Sequence, residues 1–364
     1  LAEFTPPEIL EADLASLVLE LAQWGAREPA AVTWIDPPPL AHWNQARDLL
    51  QLLGLLDHNG AITESGKAAR QLGIHPRLAR MVLRGRELGL GTTAAEIAAL
   101  LGERDLLGPQ AGTDLHDRLR LLHGEYPQRV DRARLNAVRQ AARQLSRKDD
   151  RATGVPGAEE TGRLLALAYP DRIGKRRSAT GERYQLSNGK GASLPEGDPL
   201  ARHEWLVAAD LDGQARQARI YLAAPVLLAD LEQDLPELIS EREEAGWDEQ
   251  RGTVLLRRVR KLGQLILSEK ELGKPQPEQV QQALLQAVRS KGLDSLPWNE
   301  TCRQWQARVA LLRRELGHDW PDVSTQALLD SLEDWLLPFL HGMQRWADVH
   351  RLDLYNALNS LLDY

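Results

Sequence analysis

Gly66-Lys67 stands just ahead of a helix-like stretch, as the end of a phosphate-binding loop would. Such a loop requires G-x-x-x-x-G-K-[ST], so that backbone N–H groups wrap the phosphates, the lysine reaches them and the hydroxyl holds Mg²⁺. Here the position five before Gly66 is Ala61, Gly60 falls one residue too early, and Ala68 stands where the hydroxyl is needed. Other reactive side chains are equally isolated. His75, His116 and His123 have no thiols or carboxylates at metal-ligand spacing. Cys302 has no local nucleophile signature, and Ser187 and Ser193 have no nucleophile elbow. The expectation is a chain with no catalytic, cofactor or metal site of its own.

The remaining candidate chemistry is anion binding by arginine. Between Arg118 and Arg147 eight arginines stand against Glu125 and Asp131, and between Asp171 and Gly191 six basic residues stand against Asp171 and Glu182. Basic windows in a chain of net charge −7 point to a local groove, not a whole-surface coat. The excess of 37 arginines over 8 lysines suits phosphate recognition by the guanidinium fork, although GC-rich coding explains the overall ratio more simply. The first window ends in a helical pattern over about residues 129–147. At about 100° per residue, Leu135, Val138, Ala142 and Leu145 share one face. Arg132, Asn136, Arg139, Arg143 and Arg147 share another. With no carboxylates interleaved, that stripe reads either as a track for a phosphate backbone or as a solvated face. The second window, RIGKRRSATGERY, holds Arg172, Lys175, Arg176, Arg177 and Arg183 beside Tyr184. Tyr184 either stacks on a base while the arginines hold phosphates, or is a barrel residue with its hydroxyl exposed.

A chain of 364 residues accommodates about two to four domains. Its 43% hydrophobic and 27% charged residues are ordinary for a globular protein. The single cysteine excludes an internal disulfide and suits a reducing, cytoplasmic compartment. No membrane-length apolar run and no signal-peptide pattern is present. The first residue is not methionine and the helical pattern runs to Tyr364, so a longer parent protein is expected.

The expected architecture is mainly α, multidomain and α+β. Residues 1–90 read as a winged helix. Pro6-Pro7-Glu8 opens a helix carrying Leu14, Leu17, Val18 and Leu21, WIDPPP is a loop, and a second helix spans residues 40–53. Asp57-His58-Asn59-Gly60 then turns the chain, Thr63 or Ser65 caps a helix that Gly73 stops, and Pro76 opens the next. Residues 91–168 read as a helical bundle, with Thr92 or Thr93 capping AAEIAALLG and Asp114 capping LHDRLRLLHG ahead of the arginine helix. Residues 169–272 read as an OB-like β-barrel built from RYQLSN, EWLVAADLDG and ARIYLAAPV, with a hairpin near Lys261 to Gly263 and a helix over 227–244. Residues 273–364 read as an incomplete helical extension. Pro277 opens it, and Trp298, Trp305, Trp320, Trp335 and Trp346 supply an aromatic-rich core.

These motifs carry a family resemblance. WIDPPP and LGLLDHNGAITESGKAARQLGIHPRLARMVL are similar to the loop and wing of DEAH/RHA-type superfamily 2 RNA helicases. LLALAYPDRIGKRR, RYQLSNGKGASL, DPLARHEWLVAADLDG and ARIYLAAPV resemble the bacterial HrpB branch, and the likeness covers the whole chain. The resemblance implies the C-terminal part of an ATP-driven helicase. ATP and Mg²⁺ would belong to RecA-like domains of the same parent chain, ahead of Leu1. It implies single-stranded RNA, or DNA, as partner, a ratchet role for the arginine helix and a strand-contacting role for residues 172–183. The alternative is a protein-interaction module that uses the tryptophan-rich end and acidic surfaces and binds nucleic acid weakly or not at all.

Overall fold

The computed structural model describes residues 7–108, 111–125, 130–147, 150, 154–212, 217–317 and 319–362. Packing divides the chain into two units. One runs to Ile239 and takes in Leu262–Leu265; the other holds Ser240–Lys261 and the chain from Ile266 onward. Among the described residues no helix is long and apolar enough to cross a membrane.

The first unit begins with helix α1 (Ala15–Gln23), which packs Val18, Leu19 and Ala22 against α2 (Leu40–Leu52). The helix expected from Pro7 is interrupted. Glu8–Leu10 forms only a 3₁₀ turn, and the Asp13 carboxylate accepts from Ala15 N at 2.8 Å, so the helix restarts there. After α2 the Asp57 side chain accepts from Asn59 N and Ala61 N, Gly60 adopts φ 77°, and Leu56 pairs with Ile62. Thr63, not Ser65, caps α3 (Glu64–Arg70) by accepting from Gly66 N at 3.0 Å. Gly66 is a packing residue: a Cβ there would lie 2.2 Å from Leu55 O. Lys67 pairs with Glu64 at 2.7 Å. His75 caps α4 (Pro76–Glu87), whose first residue is the expected proline. Helix α5 (Gly91–Gly102) starts earlier than expected, so Thr92 and Thr93 lie inside it instead of capping it. Asp114 caps α6 (Leu115–Leu122), and α7 (Arg132–Leu145) and α8 (Ala158–Ala168) complete the helical part.

Strands β1 (Ile173–Arg176), β2 (Arg183–Leu186), β3 (Gly191–Ser193), β4 (Trp205–Leu211) and β5 (Gln217–Pro225) close a barrel in the order β1-β2-β3-β5-β4. The β3–β5 pairing is parallel and the other four are antiparallel. Tyr184 belongs to its interior with Leu186, Leu206 and Ile220, and its ring is 0% exposed. The hydroxyl donates to His203 O at 2.7 Å, and burial pushes its pKa up to about 12. Both the base-stacking reading of Tyr184 and an exposed hydroxyl are therefore corrected: strand alternation turns the ring inward. Helix α8 lies across β4 and β5 so closely that a Cβ on Gly162 would stand 1.8 Å from Pro225 O.

The helix expected over 227–244 ends early. Helix α9 covers Leu228–Asp234, and Pro236, which lacks an N–H and disfavours helix at the residue before it, stops it. From Ile239 the chain is extended. Strands β6 (Ile239–Asp248), β7 (Thr253–Leu262) and β8 (Leu265–Glu271) form a separate three-stranded sheet, so the expected 169–272 β region is two structures and not one. Gly263, at φ 56°, makes the expected hairpin turn. Successive β7 residues face opposite sides: Arg258 and Arg260 pair with Glu243 and Glu241, while Arg257 and Lys261 pair with Asp248 and Glu244. In the second unit α10 (Pro277–Lys291), α11 (Glu300–Leu316) and the short helices α12 (Thr325–Asp330), α13 (Leu332–Trp335), α14 (Trp346–Val349) and α15 (Leu354–Asn359) share one core. Trp305 and Trp335 are buried in it, and Trp298, Trp320 and Trp346 pack against it. The indole N–H groups of Trp298, Trp305 and Trp335 donate to Leu293 O, Asn359 Oδ1 and Leu328 O.

Two substitutions test this packing by urea unfolding. Gly162→Ala lowers stability by roughly 1–3 kcal/mol, because the helix-propensity gain is smaller than the cost of moving Pro225. A neutral effect would show that α8 does not press on the barrel backbone. Tyr184→Phe lowers it by about 1–2 kcal/mol through the unpaired His203 carbonyl, whereas an exposed hydroxyl would cost nothing.

Candidate nucleic-acid interface

Helix α7 starts where the Asp131 carboxylate accepts from Ala133 N at 2.8 Å. Val138 and Ala142 are buried and Leu135 and Leu145 half-buried, so the apolar face is the expected one, set against α5. Arg129 lies outside the described residues. Arg132, Asn136 and Arg143 are exposed on the helix, and Arg147 is exposed just past its end. Arg139 has a different task. Its Nε and Nη2 donate to Leu122 O at 3.2 and 2.6 Å, at the C-terminal end of α6, where the helix dipole favours a cation. The end of α7 is treated likewise: Arg86 on α4 donates to Leu145 O at 2.6 Å. Desolvation and the nearby Arg147 charge lower the Arg86 pKa, so this guanidinium is held where charge is costly.

The second window divides more sharply. Arg172 donates to Ala209 O at 2.9 Å and lies 5.0 Å from the Tyr169 ring centre. Arg77 lies 5.1 Å from the same centre and forks Asp171 at 2.6 and 2.9 Å. Burial would raise the Asp171 pKa, but the Arg77 hydrogen bonds outweigh it and hold the carboxyl below its usual range. Lys175 sits 4.0 Å from Glu204 and 5.3 Å over Trp205. Arg176 donates to Ala201 O at 2.5 Å. Only Arg177 and Arg183 are exposed, and the β1–β2 hairpin brings them together, Arg177 N donating to Arg183 O at 3.0 Å. Sequence proximity therefore grouped six side chains that the fold separates into barrel clamps, one interior ring and one exposed pair.

Sequence reasoning passed over a second exposed group. Along β5, Ala218 and Ile220 point inward while Arg219 and Tyr221 point outward, and Tyr221 is 45% exposed. The alternation in QARIY was the available signal. Arg104 and Arg134 line the same cleft as Arg219 and Tyr221. Among the described residues no group of acidic, histidine or cysteine side chains is arranged to hold a metal ion.

Comparison with known proteins places this geometry in context. Residues 238–272 match the family profile described as the connector region of the ATP-dependent RNA helicase HrpB. The curated Escherichia coli ATP-dependent RNA helicase HrpB is 37% identical over 361 residues, which is 98% of this chain and 42% of that protein. The E. coli ATP-dependent RNA helicase HrpA is 33% identical over 126 residues, 32% of this chain. Two crystal structures share the fold. That of the E. coli DExH-box NTPase HrpB has a TM-score of 0.63 at 36% identity, covering 100% of this chain and 43% of its own. That of the E. coli DEAH/RHA helicase HrpB has a TM-score of 0.68 at 34% identity, covering 99% and 44%. Over nearly its whole length the chain is thus similar in sequence and fold to part of the HrpB-type ATP-dependent RNA helicases, and it spans less than half the length of the HrpB relatives it matches.

Proposed function

We propose that this chain is the C-terminal, strand-holding part of an HrpB-type ATP-dependent RNA helicase. It holds single-stranded RNA while RecA-like domains of the same parent chain drive translocation with ATP and Mg²⁺. The observation that carries the reading is the exposed row of Arg132, Asn136 and Arg143 on α7, a helix with no carboxylate in it. From Arg132 to Arg143 the row runs about 16 Å along the helix axis. Guanidinium groups match phosphate oxygens in pairs, and such contacts hold a strand without reading its bases. That is what a translocating protein needs, since each step presents a new sequence to the same side chains.

Three further features support the reading. The strand order β1-β2-β3-β5-β4 fits an OB-type barrel, whose β1–β2 loop and adjoining strands face oligonucleotides. Arg177 and Arg183 flank that loop. Helices α2 to α4 with the paired turn at Leu56 and Ile62 fit a winged helix, and α7 fits a ratchet helix. The Gly66-Lys67 stretch does not fit an ATP phosphate loop, since Gly66 is pressed on Leu55 O and Lys67 is paired with Glu64, and ATP chemistry is assigned to the parent's other domains.

The test is binding of a labelled single-stranded RNA across a salt series. Each phosphate contact on a single strand contributes about 0.7 to the slope of log affinity against log salt. Replacing Arg132 and Arg143 with alanine therefore lowers the slope by about 1.4 and weakens binding to all sequences alike. An unchanged slope would remove α7 from the strand path. Arg139→Ala is the contrasting variant: it takes the donors from Leu122 O and lowers stability by about 1 kcal/mol.

A further inference from the structure

The outer face of β5 borders a cleft of about 830 Å³. One wall is β5 itself, with Arg219 and Tyr221 two residues apart and the Arg219 guanidinium 5.7 Å from the Tyr221 ring centre. Residues 104–108 and 112–113, between α5 and α6, line it as well, and their placement is fixed by hydrogen bonds. Arg118, 2% exposed, forks Asp105 at 3.2 and 2.8 Å and donates to Gly112 O and Asp114 O at 2.9 and 3.0 Å. Thr113 then joins this segment to the barrel: its carbonyl accepts from Ala223 N at 2.8 Å, and its hydroxyl donates to Asp198 at 2.9 Å. The buried Arg118 guanidinium therefore ties Asp105, Gly112 and Asp114 together on one side of the cleft, and Thr113 ties that side to the barrel.

The chemistry of the lining is specific. Tyr221 is a large aromatic left nearly half exposed on a barrel whose other tyrosine is buried. Arg219 and Arg104 line the cleft, and Arg134 lines it with its nearest carboxylate, Asp131, 3.8 Å away. Of the four lining carboxylates, Asp105 is paired with Arg118, and Asp198 is hydrogen-bonded by the neutral Thr113 hydroxyl and Leu200 N, so it keeps its charge as Glu196 and Asp210 do. With Arg118 and Asp105 cancelling each other, Arg104, Arg134 and Arg219 stand against Glu196, Asp198 and Asp210, so the cleft has no net charge and offers an anion the guanidinium groups beside Tyr221. A flat aromatic beside guanidinium groups is the arrangement that holds a base by stacking and its phosphates by charge. Pockets of roughly 300–1,000 Å³ suit a ligand of this size.

We infer that this cleft is a nucleobase-stacking subsite: one base of the bound single strand stacks on Tyr221 while Arg219, Arg134 and Arg104 hold the flanking phosphates. The inference rests on the strand-binding reading above and adds to it a contact that depends on the base. The α7 row would grip the backbone alone, whereas this subsite would give each step a place to hold one base.

The experiment compares two labelled strands of equal length on the full chain, one carrying bases and one abasic. Tyr221→Ala weakens binding of the base-bearing strand about 5- to 100-fold and leaves the abasic strand within about 2-fold. Tyr221→Trp restores the affinity, which a merely structural tyrosine would not predict. Arg219→Ala with Arg134→Ala weakens both strands. Equal affinity of wild type and Tyr221→Ala for the base-bearing strand overturns the subsite while leaving the α7 reading intact. So does equal loss on both strands. Wild type binding neither strand overturns the strand-binding reading and this inference with it. Efficient competition by a free nucleoside monophosphate would identify the occupant as a free nucleotide and overturn the strand assignment.

Discussion

Direct backbone contact between α8 and the barrel sets the position of the rest of the first unit. Gly162 has no room for a side chain because Pro225 O occupies the space, so the α8 backbone lies directly against β5. Its φ is not in the left-handed region, so the glycine is required by crowding and not by backbone freedom. Leu164, Leu165 and Leu167 are then buried on their respective sides. On α4, Gly85 answers Leu164 in the same manner, with a Cβ there falling 2.6 Å from Ala94 and 3.1 Å from Leu164. Arg163 carries α9 along by pairing with Asp234 at 2.5 and 2.9 Å. Arg77 binds the last helical carbonyl, Ala168 O, at 3.0 Å.

The arginines of this chain do two kinds of work, and burial separates them. Arg77, Arg86, Arg118, Arg139, Arg172 and Arg176 direct their forks at main-chain carbonyls, several of them at helix ends where orphan acceptors gather. All but Arg118, whose acceptors lie on the loop just before its own helix, join elements separated in sequence, and removing any one would leave a carbonyl or carboxylate without its donor. Arg132, Arg143, Arg177, Arg183 and Arg219 are exposed. A lysine could replace some of the second group for charge, but not Arg77 or Arg118, whose planar forks meet three or more acceptor atoms at once.

The second unit is organised differently. Its sheet carries charge on both faces of β7, each basic residue matched to an acidic one on a neighbouring strand. Exposed pairs of this kind add little stability singly, so register is their clearer contribution: a one-residue slip would set Arg258 and Arg260 opposite the wrong face. Apolar burial is left to the helices, where Trp335 and Trp305 take the space and their N–H groups are satisfied locally.

Much of the local structure was legible in the residues themselves. Pro76, Pro277, Asp114, Thr63 and Gly263 all act where short-range chemistry places them, because capping and turn geometry need only a few neighbouring atoms. The apolar face of α7 followed from helical periodicity for the same reason. What the sequence by itself determined was therefore most of the succession of elements, β6 being the main exception, with the two basic windows and the likeness to HrpB-type helicases. Tertiary structure decided which basic groups are open to a ligand. Arg139 and Arg143 are alike in sequence, yet only Arg139 meets the end of α6; Tyr184 and Tyr221 are both strand tyrosines, yet one fills the barrel and the other faces a cleft. Those outcomes depend on atoms tens of residues away, and burial decides whether a charge or ring is spent on the protein or left for a strand.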